Sequence, residues 1–239
     1  MGAPGPNEKY TERWGINVQY HEVKINIDFE TGANLTKTLV APATDITSAS
    51  LWVDYVFLDT DERRRFAQVS HEYLIEQLQY TGDESITGNN NRIKLNFNHP
   101  TKELVWVISR DSNLVAAGSN AWTNYNDSTS LNMTKVAKLQ LNGHDRFADR
   151  TGDYFNMVQP FQHHENVPTN KGINVYSFAL KPEEHQPSGT LNMSRIDTAV
   201  LNLTTAGVSS TDTAKVKIYA VNYNVLRILS GMGGLAYSN

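Results

Sequence analysis

The residues that could do chemistry are few and scattered. The densest cluster is His163–His164–Glu165, a set of side chains that can ligate a metal. Its two histidines are adjacent, so on a strand they would point to opposite faces, and a ligand pair needs one face. The pattern therefore reads as a solvated loop, with no metal. His71–Glu72, His144–Asp145 and Glu183–Glu184–His185 are isolated groups that read the same way. Asp61 and Glu62 stand beside Arg63, Arg64 and Arg65, an arrangement that resembles an acid/base site. A salt-bridge network that fixes a helix or a subunit contact is the expected role of these arginines. No phosphate-binding glycine loop, dinucleotide fingerprint or nucleophile elbow occurs. No catalytic residue and no cofactor are assigned, and the chain is expected not to be an enzyme.

Two further groups could serve recognition. Trp122 and Tyr125 lie in a long polar stretch and are the candidate exposed aromatics, suited to stacking on a sugar or to a subunit contact. Five Asn-x-Ser/Thr sequons occur, at Asn34, Asn126, Asn132, Asn192 and Asn202. Asn126 and Asn132 fall in the same stretch and are the candidate glycan sites.

The elements that must position these groups are strands. The chain has 239 residues, 39% of them hydrophobic, enough for one large domain. It has no cysteine, which excludes disulfides and thiol chemistry and fits a reducing compartment. A formal net charge of −4 argues against direct nucleic-acid binding. No apolar run approaches the roughly 20 residues of a membrane span. The first residues lack a secretory apolar core, and Pro6 stands where a myristoylation motif places Ser or Thr.

Residues 1–15 are Gly- and Pro-rich and read as a flexible lead-in. Strands are expected at 16–29 and 50–59. The second is apolar on both alternating faces: Leu51, Val53, Tyr55 and Phe57 on one, Trp52, Val56 and Leu58 on the other. Such a strand is usually covered on both sides, so it is expected deep in a sheet. Asp59 and Thr60 can cap a helix that starts with Asp61 and Glu62. Periodicity alone allows one amphipathic helix over 60–79. Loops are expected at 81–91 and 109–134, and a short helical stretch near 153–161. Strands are expected at 92–97, 104–108, 136–142, 172–180, 190–203 and 214–229. About nine strands separated by turns suit a sandwich or a jelly roll.

The stretch YVFLDTDERRRFAQ (Tyr55–Gln68) with HEYLIEQ (His71–Gln77) resembles a signature of the major capsid proteins of nucleocytoplasmic large DNA viruses. RIKLNFNHPTKELVWVI (92–108), PSGTLNMSRID (187–197) and the tail from Arg227 to Asn239 are similar to further phrases of that family. The resemblance implies a short helix at 61–68 followed by a strand from about 71 to 80. It implies an all-β fold, an eight- to nine-stranded antiparallel jelly-roll sandwich with one or two short helices in loops. Family members are about twice this length and carry two rolls in tandem. The phrases here belong to the C-terminal one, so residues 16–239 are expected to be a single jelly-roll domain.

The implied function is structural: a homotrimeric, pseudo-hexagonal capsomer of an icosahedral capsid shell, formed in the host cytoplasm. Its implied partners are other copies of itself, neighbouring capsomers and minor capsid proteins, close to an internal membrane. Outward towers would be built from 81–91 and 110–134. The alternative is a jelly-roll carbohydrate-binding module that attaches to host glycans through Trp122 and Tyr125.

Overall fold

Alternation of apolar and polar residues sets the strands, and their order in space sets the architecture. The computed structural model describes residues 24–29, 46, 48–54, 56–114, 121–127, 129 and 131–237. The first regular element is helix α1 (Thr60–Gln68). The Asp59 carboxylate caps it by accepting from the Glu62 N–H at 2.8 Å, and Asp61 and Glu62 place negative charge in its first turn. The chain then leaves the helix at Val69 and runs into β1 (His71–Ile86). A helix followed by a strand, as the resemblance implies, replaces the single helix that periodicity allowed.

The strands that follow are β2 (Asn90–Leu95), β3 (Pro100–Arg110), β4 (Thr134–Leu141), β5 (His144–Asp145), β6 (Arg150–Thr151), β7 (Asn174–Ser177), β8 (Leu191–Asn192), β9 (Ala199–Thr205), β10 (Ala214–Leu229) and β11 (Met232–Leu235). A one-turn helix, α2 (Asp111–Leu114), follows β3. A π-helical turn (Tyr154–Val158) and α3 (Gln159–His163) lie between β6 and β7.

One sheet has the order β1-β10-β3-β7, with β11 on β10 and β8 on β3; the other has β2-β9-β4-β5, with β6 on β4. All pairings are antiparallel. The chain passes from β1 in the first sheet to β2 in the second, back to β3 and across again to β4. It returns through β7, β9 and β10. This alternation is jelly-roll connectivity.

Among the described residues there are eleven strands where eight or nine were expected, because short pairings such as β5, β6 and β8 are invisible to periodicity. β1 also runs through the expected loop start at 81, turning at a register shift between Tyr80 and Asp83, where Gly82 has φ 108°. The expected strand at 190–203 is two elements, β8 and β9, separated by a 3₁₀ turn (Met193–Arg195).

The core fills the space between the sheets. Leu104, Trp106 and Ile108 of β3 face Ala220, Ile218 and Val216 of β10 in register. Ile93, Ala137, Leu139, Leu201 and Leu203 close on them from the second sheet. Trp106 is 1% exposed, meets the Phe155 ring edge-on at 5.0 Å and donates from Nε1 to Thr134 Oγ1 at 3.3 Å. Beside it is a buried amide network: Asn132 Nδ2 donates to Asn174 Oδ1 at 2.6 Å.

The run 50–59 departs from its expectation. No strand forms over the described residues from 48 to 59. Trp52 is 91% exposed and Phe57 92%, with Leu51, Val53 and Val56 also exposed. The apolar pattern of this run asks for cover, but both sheets of the roll form without it. Ile25, Ile27 and Phe29, from the expected strand at 16–29, are likewise exposed and outside any strand. The rest of that strand, the 1–15 lead-in and Asn34 lie outside the described residues.

Candidate assembly surfaces

Several exposed surfaces of the described residues could meet another protein. Among the described residues no group of three or more His, Asp or Glu side chains is placed to hold a metal. No helix among them is long and apolar enough to cross a membrane.

Arg63, Arg64 and Arg65 project from α1, a helix with no buried residue, and are exposed. Arg64 lies 3.9 Å from Asp61, a loose pair between exposed side chains. Among the described residues this loose pair is the one ion pair these arginines make. α1 joins the exposed apolar run 48–58 to β1. Phe66 and Ala67 are half-buried, and Phe66 stacks on His71 at 5.2 Å.

In the long stretch, Trp122 is exposed and Tyr125 is half-buried. Tyr125 is held by close backbone packing: a Cβ on Gly172 would fall 2.1 Å from the Tyr125 carbonyl oxygen. The segment is also tied down by Asn170 Nδ2, which donates to the Thr123 carbonyl at 2.8 Å. Tyr125 is therefore not the freely exposed aromatic that a sugar platform needs. Asn126 is half-buried and pairs through a β-bridge with Asn132. Asn132 is 5% exposed with its amide nitrogen bonded to Asn174, which leaves no room for a sugar on that amide in the folded chain. Asn192 and Asn202 also use their side chains internally, towards Ser194 N–H and Gln140.

Beside β3 and β7 lie the groups that sequence reading missed. His163 and His164 are not in a solvated loop. His163 ends α3 and its Nδ1 lies 2.9 Å from the Leu180 carbonyl. His164 caps α3 and its Nε2 lies 2.8 Å from Glu103 Oε2 of β3. Next to Glu103, Lys102 is buried and pairs with Glu76 of β1 at 2.5 Å, while its ammonium sits 5.4 Å from the centre of the Tyr223 ring. The available signal was Lys102–Glu103 set directly before the apolar run Leu104–Ile108. Two charges entering a buried strand require partners.

Residues 62–234 match the family described as the large eukaryotic DNA virus major capsid protein. The chain belongs to this family. It is 56% identical over 246 residues to the major capsid protein of Pyramimonas orientalis virus, covering 94% of this chain and 57% of that protein. It is 44% identical over 273 residues to the major capsid protein of Paramecium bursaria Chlorella virus 1, covering 94% of this chain and 62% of that protein. A solved structure described as a quasi-atomic model of the PBCV-1 virus capsid superposes with a TM-score of 0.65 at 43% identity. That match covers 77% of this chain and 56% of the other. The Faustovirus major capsid protein shares the fold at 13% identity and a TM-score of 0.58. The chain spans about three-fifths of the length of these curated capsid relatives. Trp52 and Phe57, both exposed, precede residues 62–234, the span that the family matches.

Proposed function

We propose that this chain is the C-terminal jelly roll of a capsid protein whose trimers form pseudo-hexagonal capsomers of an icosahedral shell. The observation that carries this reading is a closed roll, matched across 62–234 to capsid proteins, preceded by an apolar run that the roll leaves exposed. A second roll, corresponding to the share of the relatives that this chain does not span, supplies the cover for 48–58. The work is mechanical. Strand ladders and a large apolar core must break together for the roll to shear. The arginines of α1 and the exposed segment around Trp122 serve contacts with neighbouring subunits, capsomers and minor capsid proteins. Assembly occurs in the host cytoplasm around an internal membrane, without direct contact with nucleic acid and without catalysis. Permanent assemblies bury large, partly apolar interfaces, so trimer contacts within this chain would survive dilution. Light scattering on the purified chain is expected to give three chain masses. A single chain mass at every concentration would remove the trimer contacts from this part of the protein.

A further inference from the structure

The helical insertion that packs beside β7, at the end of the β1-β10-β3-β7 path, is held partly by groups that titrate. α3 is anchored at its start by Gln159, whose Oε1 accepts from the Ser177 N–H at 3.1 Å and whose Nε2 donates to the Tyr154 hydroxyl at 2.8 Å. Both bonds join uncharged groups. At its end the anchors are histidines. The His163 contact with the Leu180 carbonyl survives in the neutral tautomer that carries its proton on Nδ1. The His164 contact differs in its acceptor, a carboxylate: the neutral tautomer with its proton on Nε2 keeps the hydrogen bond, and protonation turns it into an ion pair. Nε2 to Glu103 is the one hydrogen bond of the His164 ring among the described residues, and its Nδ1 is buried with no partner there. One residue further, the Glu165 N–H donates to Glu183 at 2.8 Å, which ties the turn at 181–187 to the same point.

We propose that the His164–Glu103 pair is a proton-dependent latch. With His164 protonated, the pair clamps α3 and the 181–187 turn onto β3; with His164 neutral, the clamp loosens. Riding on these clamped elements are Phe161 and Leu180, exposed by 80% and 71%. The latch therefore decides whether this apolar pair is presented in a fixed position.

The charges around His164 set the sign. Glu103 faces it from β3, Glu183 from the 181–187 turn, and Lys102 from β3. Lys102 is itself paired to Glu76 of β1 and lies over Tyr223 of β10, and Glu165 and His163 are the chain neighbours of His164. The hydrogen bond to Glu103 raises the His164 pKa. Burial opposes it, the charges of Glu103 and Glu183 add to it, and Lys102 subtracts; the net shift is upward. A group raised on folding stabilises below its unfolded pKa and loses that stabilisation as pH rises through its folded value. The latch is thus closed in acid and opens above the ordinary histidine range.

The test is amide hydrogen exchange of the full 239-residue chain at a series of pH values from 6 to 9, corrected for intrinsic exchange. Peptides covering 155–167 and 178–188 are compared with peptides from β4 and β9. The wild-type chain should lose protection in the first two alone, by about tenfold for each unit by which the pair raises the histidine. His164→Gln should remove this pH dependence, and Glu103→Gln, which keeps the shape without the charge, should move its midpoint to lower pH. A flat wild-type profile, an unchanged slope in His164→Gln, or an unmoved midpoint in Glu103→Gln would overturn the latch. If His164→Gln fails to fold, the Glu103→Gln midpoint decides alone.

Discussion

Two stretches of this chain share a pattern and differ in fate. Leu104–Ile108 in β3 and Leu51–Leu58 before α1 are both apolar on alternating faces. The first includes Trp106, 1% exposed, wedged between β10, β7 and Phe155; the second includes Trp52, 91% exposed. An apolar pattern states what a segment requires, and the supply of covering surface comes from elsewhere. β3 obtains it from strands far along the chain, whereas the roll is already closed when 48–58 is reached.

The contrast can be broken most forcefully by paired substitutions. Trp106→Ala should cost about 3–5 kcal/mol of stability, through lost burial and a cavity between the sheets. Trp52→Ala should stay within about 0.5 kcal/mol, as for an exposed site. Urea denaturation followed by circular dichroism separates the two. Equal losses would mean that Trp52 is buried in solution.

A smaller effect tests how tightly the roll is closed where the helical insertion enters. A Cβ on Gly152 would lie 1.9 Å from the Thr134 carbonyl oxygen and 2.8 Å from the Asn132 amide. Gly152→Ala should therefore cost about 1–3 kcal/mol by overpacking, and should broaden the Asn132 and Asn174 amide signals in NMR spectra.

The smallest expected effect is acid-dependent and local. Burial works to raise the Asp127 pKa, but hydrogen bonds from the Thr129 hydroxyl and the Leu131 and Thr129 amides outweigh it, helped by Lys135. The carboxyl is held at about 2. A carboxylate depressed on folding contributes stability above its unfolded pKa, and loses it as pH falls through the folded value. The wild-type chain should lose more stability than Asp127→Asn between pH 5 and about 2, read from thermal midpoints. Parallel curves would contradict this role.

Much of the roll was legible. β10 spans Ala214–Leu229, the strand read as 214–229, because sixteen residues of alternation leave little ambiguity. α1 was legible through Asp59 and the acidic first turn. The helix-to-strand switch at Val69 was legible only through the family phrase, since residues 60–79 satisfy a helical period as well. The latch was not legible. Adjacent histidines look useless on a strand, and their separate roles depend on α3 ending between them. The fate of 48–58 was not legible either, because cover is a property of the whole assembly.

The most direct test of the central claim is deletion. If the roll over 71–237 is closed and self-sufficient, a chain starting at Thr60 should unfold at the same urea midpoint and slope as the full chain. It should also associate less, having lost the exposed run 48–58. A lower midpoint or a smaller slope would show that 48–58 packs on the roll, and would contradict the separation of the two regions.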